Sequence, residues 1–292
     1  MLTVGMACYD DFEGVYFSVQ ALRMYHPEVK IIVIDNNPHS KQGQTTKKFI
    51  ESWARNCRYV PFDKFKSTAI RNLVFEYAGT PYVMCIDCHV MIVTGAIEKL
   101  LEYYKANPNT NNLLQGPLLY DDLTGIATHM NPVWREQMWG IWATDNRGKD
   151  PDSKPFEIPM HGMGLFTCRK EAWLGFNKYF RGFGGEEGYI HEKYRQAGYK
   201  TLCLPFLRWI HRFERPKGAP YPLEVMSKIR NYLIGHAELG LDIKPLVNHF
   251  QKFAPKSKID EYVRKVEEMR DKIGGKANQF GESGIYKPPL LL

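Results

Sequence analysis

No window of this 292-residue chain approaches the roughly 18 apolar residues that a membrane span requires. Met1 to Ala7 runs straight into a strand-like pattern, without the basic stretch and apolar run of a cleaved signal. Neither an integral membrane anchor nor secretion by such a signal is therefore expected. Cysteine is scarce: Cys8, Cys57, Cys85, Cys88, Cys168 and Cys203 are too few for a disulfide scaffold and point to a reducing, cytoplasmic setting. Cys85 and Cys88 spell C-x-x-C, but Val83 to Met91 reads as one extended strand, in which positions 85 and 88 face opposite ways. No second pair completes a zinc site. Repeats and low-complexity blocks are absent. So is a glycine-rich turn after the first strand, which ends in Cys8-Tyr9-Asp10-Asp11 rather than in the loop with which dinucleotide and P-loop proteins cradle phosphate. A nucleotide bound to such a sheet needs its diphosphate neutralised by other means, a metal ion first among them.

What is present suits a packed core, with 44% hydrophobic and 24% charged residues. The length fits one large α/β domain or one domain plus an appendage. The formal charge of +7 is uneven: residues 192 to 276 hold 18 Lys and Arg against 10 Asp and Glu. Such a field can attract a polyanionic acceptor, a nucleotide phosphate or an anionic surface, and a solvated lysine-rich helical face explains it equally well.

Leu2 to Ala7 and the β-branched run Lys30 to Ile34 read as strands, and between them Val15, Val19, Leu22 and Tyr25 recur at helical spacing. The alternation continues with a helix through Thr45 to Arg55, a strand at Tyr59-Val60, a helix from about Ser67 to Tyr77 and a strand at Tyr82 to Ile86. This pattern predicts a mostly parallel, doubly wound sheet that binds ligands at the carboxyl ends of its strands. From Asn107 to Pro159 regularity fades, and we expect acceptor-side loops and antiparallel strands carrying Trp134, Trp139 and Trp142. Order returns at Gly164 to Cys168, in a helix over Glu187 to Ala197 and in a final strand at Thr201 to Leu204. Beyond Pro216 a helical section is expected. There Ser257 and Asp260 resemble a capping box, and Ile259, Val263, Val266 and Ile273 fall near one face.

The chemistry concentrates at Cys85-Ile86-Asp87-Cys88-His89, where an extended backbone puts Asp87 and His89 on one side at the end of a buried strand. One carboxylate and one imidazole then converge. Taken alone, the pattern fits a turn-capping Asp and a surface His better than a metal site. Its neighbours resemble a known family. Asp87-Cys88-His89, Ala69-Ile70-Arg71-Asn72, Gly164-Leu165-Phe166, Gly184-Gly185-Glu186-Glu187 and Arg195-x-x-Gly198 occur in the order found in GT-A glycosyltransferases of the family 2 type, with features of the polypeptide N-acetylgalactosaminyltransferases. The resemblance covers residues 1 to about 215. Ile70 interrupts the usual Ala-Arg-Asn, and Glu187 stands where Asp is usual.

The resemblance implies a GT-A fold, that is, a Rossmann-like, mostly parallel sheet flanked by helices (residues 1–215), followed by a basic helical extension (216–292). It implies a metal-dependent transfer of sugar from a nucleotide-sugar donor, a UDP-sugar first, to a hydroxyl acceptor such as a glycan or protein. Ala7, Tyr9 and Asp35 would hold the nucleoside, and Arg71 would sit near base and phosphates. Asp87, His89 and His211 would hold the metal, with two imidazoles favouring Mn²⁺ over Mg²⁺. Gly162 and Gly164 would let the backbone approach the donor, beside sugar and acceptor walls from Trp134 to Trp142. Adjacent helical residues point about 100° apart, so one of Glu186 and Glu187 is expected to face the acceptor. Glu187 matches the base of inverting enzymes, and Glu186 matches the positioning acid of the retaining N-acetylgalactosaminyltransferases. The acceptor stays open, with 5-hydroxymethylated pyrimidines in DNA as an alternative. A sugar nucleotidyltransferase or a non-catalytic nucleotide-sugar binding protein are alternatives of another class.

Overall fold

A computed structural model describes residues 1–215 and 218–274. Its elements begin with β1 (Leu2–Cys8), α1 (Phe12–Tyr25), β2 (Lys30–Asp35), α2 (Lys41–Trp53), β3 (Cys57–Pro61), α3 (Asn72–Tyr77), β4 (Tyr82–Asp87), β5 (Val90–Ile92) and α4 (Ala96–Ala106). Short strands follow: β6 (Leu113–Gln115), β7 (Leu118–Leu119), β8 (Ile126–Ala127), β9 (His129–Arg135), β10 (Met138–Ala143), β11 (Phe156–Glu157) and β12 (Leu165–Arg169). Then come α5 (Glu186–Gln196), β13 (Thr201–Cys203), β14 (Trp209–His211), α6 (Val225–Leu239), α7 (Lys244–Phe250), α8 (Lys256–Glu268) and α9 (Arg270–Ile273).

The main sheet has the order β11-β13-β6-β12-β4-β1-β2-β3. Strands β3, β2, β1 and β4 are parallel, and β12 enters antiparallel against β4 and β6. The chain runs outward from β1 through β2 to β3, then returns to β4 on the other side of β1. Winding therefore reverses between β1 and β4, which opens a crevice at their carboxyl ends. Alternation along the strands sorts the core: Val83 and Cys85 pack with α3, α5 and α6, whereas Met84 and Ile86 pack with α1 and α4 on the opposite face. Helices α6 to α9 share the first of these clusters, so Tyr232, Leu233 and Phe250 belong to the same core as Phe166 and Phe180.

Several expected boundaries move. The second helix begins at Lys41 rather than Thr45, because the Ser40 hydroxyl accepts a hydrogen bond from Gly43 N and caps it. Val83 to Met91 is not one strand: the backbone turns at Cys88-His89 between β4 and β5. Thr201 to Leu204 is not the last strand, since β14 follows and pairs with β5 and β7 in a second sheet. Ser257 and Asp260 form no capping box. The helix starts at Lys256 after Pro255, and Asp260 pairs with Lys256 Nζ at 2.6 Å. Residues 216–217 and 275–292 of the expected extension lie outside the described residues, among which no helix is long and apolar enough to cross a membrane.

Candidate active site

The crevice is a cavity of about 630 Å³ at the carboxyl ends of β1 and β4, where Ala7 and Asp87 are register partners. Each strand end is followed by a turn that presents polar side chains. After β1, Tyr9 lines the wall, and Lys66 Nζ lies 4.2 Å from its ring centroid and 3.1 Å from its hydroxyl. After β4 the turn at Cys88-His89 is pinned from α1, because the Ser18 hydroxyl lies 2.8 Å from Cys88 O and 3.1 Å from Val90 O.

That turn, and not an extended backbone, brings Asp87 and His89 together. His211 joins them because β14 lies antiparallel to β5 with His211 opposite Val90. His211 Nε2 stands 3.5 Å from Asp87 Oδ2 and 3.2 Å from His89 Nε2. Burial opposes ionisation of Asp87, but the hydrogen-bonding contact with His211 and the charge of Arg71 outweigh it and hold the carboxyl well below the usual range. A cation with donors about 2.1 Å away and about 90–110° apart would separate them by about 3.0–3.4 Å. Two imidazoles and a carboxylate at the observed separations fit such an ion.

Both acids of α5 face the cavity, against the expectation that one would. They are the first two residues of the helix, which meets the cavity end-on, so the angular spacing of a helix side does not separate them. Gly184 and Gly185 make the turn before them at φ +94° and +90°. Glu186 Oε1 accepts a hydrogen bond from Arg71 Nη2 at 2.8 Å, while its Oε2 is buried without a partner. Arg71 also donates to Met163 O and stands 4.0 Å from Asp87 Oδ1, so one buried guanidinium ties the acid pair to the Asp-x-His turn. Glu187 has no such partner. Burial and the neighbouring Glu186 charge push its carboxyl up to about 8.

Asp35 does not join the cavity. Its wholly buried carboxylate accepts from Asn37 N at 2.9 Å and from the Tyr59 hydroxyl at 2.8 Å, and the following residue, Asn36, lines the wall instead. Gly162 and Gly164 do line it, but an added Cβ would lie 2.6 Å from the Trp142 ring and 2.8 Å from the Trp209 ring. Their missing side chains make room for indoles of this chain as well as for any ligand. Of the three tryptophans, Trp142 lines this cavity. Trp134 and Trp139 border a second, more apolar cavity of about 300 Å³, and Trp134 stacks on His249 of α7 with centroids 4.5 Å apart. The β9–β10 hairpin turns that indole pair toward the C-terminal helices. Sequence reading passed over Asp11, Lys66 and Arg215, all at the cavity. For Asp11 a signal existed, since a helix-capping acid directly after the first strand of such a sheet stands at the ligand-binding edge.

The model of glycosyl transferase family 2 matches residues 3–173, which include β1, β4 and the Asp-x-His turn. The chain belongs to glycosyl transferase family 2. Its fold resembles the crystal structure of GalNAc-T7 with UDP, GalNAc and Mn²⁺, with a TM-score of 0.66 and 16% identity over 93% of this chain and 54% of that one. It also resembles TarS of S. aureus, with a TM-score of 0.50 and 11% identity over 92% of this chain and 55% of that one. At such identities the likeness is one of fold, and the chain spans about half the length of either structure. No curated protein matches it in sequence.

In this family 2 chain the raised Glu187 carboxyl has a consequence for stability. Unfolding returns it to its ordinary value near 4.5. Between that pH and about 8 the folded state holds more protons, so stability falls as pH rises through this window. Glu187→Gln removes the burden. The variant should lie close to the wild type at pH 5 and exceed it at pH 9 by up to about 4 kcal/mol. Denaturant unfolding at the two pH values measures this, and parallel profiles for the two proteins would contradict it.

Proposed function

We propose that the chain transfers a sugar from a nucleotide-sugar donor, a UDP-sugar in the first instance, to an acceptor hydroxyl, with a divalent cation at Asp87, His89 and His211. The observation that carries this reading is the convergence of those three side chains on the floor of a family 2 crevice, facing a buried, unpaired acid. A bound cation there would offset charge on the diphosphate leaving group. Its mixed nitrogen and oxygen donors favour Mn²⁺ over Mg²⁺.

The remaining work falls to the chain. Ala7, Tyr9 and Lys66 border the side where a nucleoside would lie, with Asn36 in place of the expected Asp35. Arg71 fixes Glu186, so Glu186 positions the sugar or acceptor. Glu187 takes the acceptor proton, since an acid with a raised pKa is the better base once ionised. The described section from 218 to 274 we treat as an appended helical part that completes the wall, because Tyr221, Glu224 and Ser227 line the same cavity. A reducing, cytoplasmic setting belongs to the proposal and is supported by six free cysteines, five of them buried.

The test is a screen of UDP- and GDP-sugars against glycan, peptide, lipid and hydroxymethylated-DNA acceptors, with Mn²⁺ or Mg²⁺ and mass detection of product. Metal-dependent transfer from a UDP-sugar is expected. Donor binding without transfer or hydrolysis across the screen would favour a non-catalytic binding protein, and nucleotidyl transfer would overturn the reading outright.

A further inference from the structure

Asp11 does two things at once. It caps α1, its Oδ1 accepting from Gly14 N at 3.0 Å, and its Oδ2 lies 3.0 Å from His89 Nδ1. Both side chains are enclosed, at 11% and 7% exposure, so no solvent shell competes for the contact. A carboxylate only accepts, so His89 must donate through Nδ1–H. A neutral imidazole with its proton on Nδ1 carries its lone pair on Nε2, and Nε2 is the atom that faces His211, which with Asp87 completes the candidate cation group. Arg215 does not compete for that choice. Its Nη1 is 3.1 Å from both ring nitrogens, which places it over the ring face rather than on either in-plane lone pair.

We propose that Asp11 is a positioning residue, whose carboxylate fixes the tautomer and ring plane of His89 so that Nε2 is presented to the cation site. The inference rests on the cation reading above. An orienting carboxylate behind a ligating imidazole raises metal affinity by about 10- to 100-fold. Because Asp11 is part of a helix cap, its two roles must be separated. Ser at position 11 still caps a helix but is too short to reach His89. Asn still caps through its oxygen, and turns an amide N–H toward Nδ1 that favours the opposite tautomer.

The experiment measures Mn²⁺ binding to the full chain by electron paramagnetic resonance, without donor, for the wild type, Asp11→Ser, Asp11→Asn and Asp87→Ala. Nitrogen-15 NMR of the metal-free, histidine-labelled wild type reads the His89 tautomer independently. Expected are an Nδ1–H tautomer, Mn²⁺ affinity weakened about 10- to 100-fold in both Asp11 variants, and cooperative unfolding of both variants from a retained fold. Wild-type Mn²⁺ affinity in both Asp11 variants, or an Nε2–H tautomer in the wild type, overturns the role of Asp11. Equal Mn²⁺ binding by wild type and Asp87→Ala instead overturns the cation site, and the tautomer then decides Asp11 by itself.

Discussion

Glu187→Gln should lower kcat by roughly 10² to 10⁴ while leaving donor affinity nearly intact, because a base acts in the transition state more than in the ground state. Glu187 is buried, lines the cavity, lacks a cationic partner and is held up to about 8 by burial and by Glu186. Its raised pKa keeps it largely protonated at neutral pH, so wild-type kcat/KM should climb as pH rises toward about 8, and this rise should vanish in the variant. Glu186 differs because one of its oxygens is already committed to Arg71. Glu186→Gln should do less to kcat and more to KM. It should also cost stability, since it leaves the Arg71 charge buried with a weaker partner. Steady-state kinetics of the two variants, with the anomeric configuration of the product read by NMR coupling constants, separates the roles. A retained configuration together with an active Glu187→Gln enzyme would show that Glu187 is not the base, and the greater sensitivity would then belong to Glu186.

Asp87→Ala and His89→Ala should abolish transfer, by about 10³-fold or more if the cation supplies several kcal/mol at the leaving group. The two should differ in stability. The Asp87 side chain is 34% exposed, and removing it leaves Arg71 paired with Glu186, so folding should be nearly unchanged. His89 is enclosed by Asp11, His211 and Arg215, so its loss removes the 3.0 Å contact to Asp11 Oδ2 and should lower stability by about 1–3 kcal/mol. Activity assays with and without excess chelator, paired with thermal unfolding, check both statements. Wild-type turnover in either variant, or in wild type under chelator, would remove the metal from the mechanism.

Much of this was legible along the chain. The β-branched run at Lys30–Asp35 and the helical spacing of Val15, Val19 and Leu22 express local periodicities, and periodicity places strands and helix faces without knowledge of partners. The Asp-x-His, its strand end, the acid pair that opens α5 and His211 followed from the same reading joined to a family resemblance. A turn-forming Asp and a ligand-binding Asp look alike in sequence, and only the Tyr59 hydroxyl across the sheet shows what the Asp35 carboxylate meets. That Trp134 and Trp139 border the second cavity was not legible, because the direction taken by the β9–β10 hairpin depends on contacts with α6 and α7, more than 90 residues later.

By itself the sequence determined the alternation of elements, the strand ends that carry polar groups and the absence of a phosphate-cradling glycine turn. These depend on neighbours a few residues apart, where backbone geometry and side-chain chemistry act directly. The tertiary structure decided how distant groups meet: Asp11 with His89, His89 with His211, Arg71 with Glu186. Those contacts span 78, 122 and 115 residues, and they exist because the winding of the sheet reverses between β1 and β4 and because β14 returns beside β5. Local preference cannot encode that reversal, since it emerges from burying both faces of one sheet at the same time.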